Sequence, residues 1–107
     1  MYTNDNFLLM RDETTQSRFE MSDAKAQAYT RGSGDRLNNF KTLANRYGIS
    51  ARDVLAVYMG KHIMALEHWL ATGEESSEGI ESTLDDIQNY ADLARAMYRE
   101  SILTNIK

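Results

Sequence analysis

Between His62 and Ala94 the chain carries eight carboxylates and neither a lysine nor an arginine. They are Glu67, Glu74, Glu75, Glu78, Glu81, Asp85, Asp86 and Asp92. Hard carboxylate oxygens at this density are the natural ligands of a divalent cation. On a helix, Glu81 and Asp85 are four residues apart, so both carboxylates face the same way and can converge on one ion. Asp92 and Asn89 share that polar face. The same block also reads as a solvated loop followed by a solvated helix face, and both readings stand at this point.

Four polar residues, two of them (Glu67 and Asp86) from that block, fall where helical spacing calls for apolar ones. Lys61 lies between Val54, Val57 and Ala65, and His62 lies near Tyr58 and Trp69. Asp86 projects within the arc of Tyr90, Leu93 and Met97, and Glu67 shares a stripe with Asp53, Ala56, Gly60 and Ala71. A charge among apolar side chains costs several kcal/mol unless it is paired or binds something. Lys61 and Asp86 are therefore predicted to pair between the third and fourth helices, beside His62. Such a pair either fixes helix register or belongs to a binding site; His62 alone also reads as a hydrogen-bonded core histidine. Gly60 in mid-helix costs about 1 kcal/mol against alanine. The small stripe around it predicts either close helix–helix approach or a flat ligand.

Composition narrows the chemistry. The 107 residues include no cysteine, which excludes disulfides, thiol catalysis and cysteine-ligated metal. No stretch approaches the ~20 apolar residues of a membrane span. Met1 to Met10 hold Asp5 and no basic residue, unlike a secretory signal, so a cytoplasmic location is expected. The net charge of −4 and the acidic block argue against a DNA or RNA surface, which needs a basic face. Gly32-Ser33-Gly34 reads as a turn, since no strand precedes it to make a phosphate loop, and no nucleophile–base pair is evident.

The elements that must position these groups are helical. Proline is absent and no segment alternates as a strand. Residues 1–13, with Phe7 to Met10, are predicted as an N-terminal arm that packs on a surface of this chain or of a partner chain, and residues 14–107 as one all-α domain. Helix one is expected from Thr14 or Thr15 to Arg31, with Phe19, Ser22, Ala26 and Tyr29 on its face. Helix two is expected from Asp35 to Tyr47, closed by Gly48. Ser50 and Asp53 form the capping signal of helix three, which should run to Ala71 and stop at Gly73. Helix four should run from Ser77–Gly79 to Thr104. Helix three is apolar nearly all round, so it is expected to be a buried central helix completed by homo-oligomerisation.

The run RGSGDRLNNFKTLANRYGISARDVLAVYMGKHIMALEHWL, followed by SEGIESTLDDIQNYADLARAMY, resembles small phage and prophage proteins of the MazG-like, all-α nucleotide pyrophosphohydrolase type. This type includes the nucleotide-modification-associated domains. The likeness covers residues 29–99, about two-thirds of the chain. It is carried by Gly34-Asp35 leading to Asn39-Phe40, the helix start Ile49 to Val54, Lys61, and Leu84 to Ala91. The resemblance implies a four-helix, bundle-like subunit that forms dimers or tetramers around a nucleotide pocket. It also implies Mg2+-dependent hydrolysis of a nucleoside triphosphate or related nucleotide, in a host cytoplasm if phage-encoded. By that likeness Lys61, His62, Asp86 and Asn89 are expected at the substrate, and Glu67, Glu78, Glu81 and Asp85 at the metal. The family pattern has carboxylate pairs three apart on two successive helices. Here Met64 and Leu70 stand where partners of Glu67 belong, and Glu78–Glu81 and Glu78–Asp85 are the nearest spacings on helix four. Two other readings follow from that gap: a nucleotide-binding protein that sequesters without turnover, and a helical oligomeric interaction module.

Overall fold

A computed structural model describes residues 1–30 and 34–105, apart from the side chains of 27–30 and 105. The order is α1 (Asn4–Thr30), α2 (Asn38–Tyr47), α3 (Ala51–Thr72) and α4 (Ile80–Asn105), with no strand among the described residues. The chain is all-α. Of the predicted Gly32-Ser33-Gly34 turn, only Gly34 lies within the described residues, with φ 77°.

Local chemistry sets the helix ends. Gly48 adopts φ 68°, the left-handed conformation that ends α2 without a Cβ penalty. Ser50 Oγ then accepts the Asp53 N–H at 3.0 Å, while Asp53 Oδ2 accepts the Ser50 N–H at 3.2 Å, so the predicted capping signal is a full capping box. Gly73 (φ 77°) closes α3 through an N–H bond to the Trp69 carbonyl at 2.7 Å. At the head of α4, Glu75 Oε1 accepts the Ile80 N–H at 2.8 Å.

The core belongs to α2, α3 and α4. Leu37, Phe40 and Ala44 meet Val54 and Leu55, and Tyr90, Leu93, Ala94 and Met97 of α4 cover them. The Phe40 ring stands edge-on to Tyr58, with centroids 6.0 Å apart. Among the described residues, α1 places no apolar side chain in this core. Its buried residue is Arg18.

Three expectations change. The predicted arm is helical from Asn4, because Thr3 caps it (Oγ1 accepts the Asn6 N–H at 3.1 Å) and no glycine or proline interrupts it before Thr30. Phe7, Leu8 and Leu9 sit exposed on this extension. Helix α3 buries one face, Val54, Leu55 and His62, and leaves Val57 and Met64 each 70% exposed. A Cβ built at Gly60 meets nothing within 4 Å, so the close approach predicted for the small stripe is not made within the chain.

Lys41 ties α2 to the turn before it and to the last part of α4, bonding Asp35 Oδ2 and Glu100 Oε2 at 2.7 Å each. The Lys41 hydrogen bond, helped by the Leu37 N–H, holds the Asp35 carboxyl below the usual carboxylate range. Asp35, followed by Glu100, raises the Lys41 ammonium. A depressed carboxyl adds stability above the unfolded-state carboxylate pKa and loses it as pH falls through the folded value. A raised ammonium adds stability below the unfolded lysine pKa and loses it as pH climbs through the folded one. Lys41→Met should therefore be less stable than the parent at pH 7. In urea unfolding followed across pH, that gap should shrink below about pH 4 and above about pH 10.5. A gap constant from pH 3 to 11 would rule the network out as its source.

Candidate functional site

A cleft of about 250 Å³ opens where α1 crosses the α2–α4 core. Phe40, Tyr58 and Tyr90 supply aromatic wall, and Asn39 and Asn89 supply amides. Ser22, Lys25 and Ala26 of α1 form the opposite side, with Arg36 from the segment before α2. Lys25 and Arg36 are exposed, so the cations stand at the rim while Phe40 is buried at the base. The volume lies just below the roughly 300–1,000 Å³ typical of ligand pockets, and the rim is open.

Arg18 organises one wall. Its NH1 group donates to Asn89 Oδ1 at 3.2 Å and to Asp92 Oδ2 at 2.7 Å. With its oxygen engaged, the Asn89 amide has N–H donors left for the cleft. Arg36 reaches across to α1 in the same way, donating to Asp23 Oδ1 at 3.1 Å.

Asp86 joins this cleft to a second feature. His62 (α3), Glu78 (the segment before α4) and Asp86 (α4) bring donor atoms within 4.8 Å of one another. His62 Nδ1 lies 3.5 Å from Asp86 Oδ2, and the imidazole lies against Tyr90 with centroids 5.4 Å apart. Next in sequence, burial pushes the Asp85 carboxyl up. The Glu81 and Asp86 charges push the same way, against the opposing pull of Arg18.

The structure sorts the predicted residues. Asp86 and Asn89 line the cleft, and His62 touches it through Asp86. The Lys61–Asp86 pair is not formed. Lys61 is exposed, and His62, one position and about 100° further round the helix, takes the inward place instead. Of the predicted metal carboxylates only Glu78 enters a donor cluster. Glu67 and Glu81 are exposed, and Asp85 is half-buried beside Glu81. Lys25, Arg36 and Tyr58 were not singled out by the sequence as site residues. Asn39 and Phe40 stood in the motif that carried the resemblance, without a role. Arg18 gave no local signal, since its partners lie 71 and 74 residues away.

Compared with protein-family models, curated proteins and solved structures, the chain finds no match. Among the described residues no helix is long and apolar enough to cross a membrane. Mg2+, which the MazG-like resemblance implies, demands an oxygen shell. The set Glu67, Glu78, Glu81 and Asp85 does not converge to provide one, and the donor cluster that does form contains an imidazole. The expected Mg2+ set does not fit this arrangement.

Proposed function

We propose that the protein binds a nucleoside phosphate in the cleft between α1 and the α2–α4 core, as a MazG-like nucleotide-processing protein. One observation carries this reading: aromatic rings, amides and rim cations converge on a single cleft. Phe40, Tyr58 and Tyr90 give a base its stacking surface. Asn39 and Asn89 offer amides to a base edge or ribose. Lys25 and Arg36 at the rim supply charge-assisted bonds to phosphate oxygens. The resemblance adds hydrolysis of the nucleotide and assembly as a homo-oligomer. The exposed Val57, Met64 and Leu70 on α3 support the assembly. The scattered carboxylate set favours the alternative of nucleotide sequestration without turnover.

Calorimetric titration with nucleoside triphosphates and with the corresponding nucleosides tests the reading. The triphosphate should bind at least tenfold more tightly, and Lys25→Ala combined with Arg36→Ala should remove that advantage. Nucleosides and triphosphates that give no heat at millimolar concentration would overturn it. Product analysis of the same mixtures, with and without divalent cation, separates the two forms. Release of a monophosphate marks an enzyme, and intact triphosphate marks a sequestering protein.

A further inference from the structure

We propose that His62, Glu78 and Asp86 bind one first-row transition divalent cation, of the Mn2+ or Zn2+ kind, in preference to Mg2+. The site shares Asp86 with the cleft but does not depend on nucleotide, and it is tested on the protein alone.

Three separate segments bring the donors together: α3, the segment before α4, and α4 itself. Two donors on one ion at about 2.1 Å stand about 3.0–3.4 Å apart at octahedral or tetrahedral angles. His62 Nδ1 and Asp86 Oδ2, at 3.5 Å, are already close to that separation. The same distance is long for an N–H···O hydrogen bond, which prefers about 2.9–3.0 Å. The His62 side chain is only 8% exposed, and this contact with Asp86 is its one ion-pair contact among the described residues. Its polar neighbours in the cluster are carboxylates.

The third donor is held in reserve. Glu78 makes neither a hydrogen bond nor an ion pair among the described residues, and it faces solvent. The chore at the head of α4 falls to Glu75, which accepts the Ile80 N–H. Tyr90 packs on the imidazole face and restrains the ring plane. An imidazole with two carboxylates leaves open positions on the ion, and nitrogen donation suits Mn2+, Zn2+ and their neighbours while it ill suits Mg2+. An ion held there bridges α3 to the start of α4.

The experiment uses chelator-stripped full-length protein titrated calorimetrically with MnCl2, ZnCl2 and MgCl2, with no nucleotide present. The expected result is one Zn2+ or Mn2+ per chain, bound at least tenfold more tightly than Mg2+. Mn2+ should also broaden the His62 and Tyr90 proton resonances before others. Glu78→Gln, on an exposed side chain without bonds, should weaken binding at least tenfold while leaving the melting temperature of the metal-free protein unchanged. His62→Leu should do likewise if it folds. His68→Gln, which alters the exposed His68–Glu74 contact (3.4 Å), should change nothing. Equal affinity for Mg2+, no saturable binding of Mn2+ or Zn2+, or unaltered binding by Glu78→Gln would each overturn the proposal. An intact metal site in a protein that ignores nucleotides would leave this inference standing and remove the functional reading.

Discussion

Phe40→Ala should lower the stability of the protein by about 3–5 kcal/mol. Phe40 is 5% exposed and packs in a core that holds, among the described residues, five buried hydrophobic side chains. Removing the ring deletes its contacts with Val54 and Leu55 and its edge-on contact with Tyr58, and neighbouring helices can close the void only in part. Small domains have only about 5–15 kcal/mol to lose. The variant should therefore unfold at a markedly lower urea midpoint, with helicity retained at low temperature. A loss below about 1 kcal/mol would show that Phe40 is not the keystone of the core. Phe40 also floors the cleft, so any folded Phe40→Ala protein should bind nucleotide more weakly.

Helix chemistry was largely legible in the sequence because it is local. The Ser50–Asp53 box, Gly48 and Gly73 each act within a few residues, and the end of α2 and both ends of α3 follow from them, whereas α2 starts at Asn38 and not at the expected Asp35. The face of α2 that holds Phe40 and Ala44 follows from simple periodicity. What the sequence concealed was long-range and polar. Phe19, expected on the packing face of α1, is exposed, and the expected Tyr29 side chain lies outside the described residues; the described part of α1 docks through Arg18 and through Arg36 on Asp23, whose partners are set by the fold and not by spacing. The N-terminal arm went unrecognised as helix because its Phe7-Leu8-Leu9-Met10 run has no helical period, and a single threonine cap suffices to extend α1. For Asp86, the inward position was readable from the wheel but its partner was not. Lys61 and His62 are adjacent, and one step of about 100° decides which of them faces α4. The carboxylates of α4 likewise share a helix without sharing a face.

Arg18→Met should release α1 from the bundle while the α2–α4 core stays folded. The substitution keeps most of the side-chain bulk but removes the bonds to Asn89 and Asp92. Hydrogen bonds to charged groups contribute roughly 1.5–3 kcal/mol, and the exposure of Asp92 puts this one toward the lower end. Because α1 adds no buried apolar side chain among the described residues, little else there compensates. Hydrogen exchange should show protection falling at least tenfold across residues 14–26 and unchanged in α3. Nucleotide affinity should fall alongside it, since Ser22, Lys25 and Ala26 are one wall of the cleft and Asn89 loses its orientation. Uniform loss of protection across all four helices would mean that Arg18 supports the whole fold and not the attachment of α1.

The claim at the centre of this account is that the cleft receives a nucleotide. Backbone and side-chain amide shifts recorded during titration with a nucleoside triphosphate test it most directly. The prediction is saturable shifts concentrated at Ser22, Lys25, Asn39, Tyr58, Asn89 and Tyr90, with residues around Val57, Met64 and Leu70 on the outer face of α3 unmoved. Shifts confined to that outer face, or none at millimolar nucleotide, would contradict it.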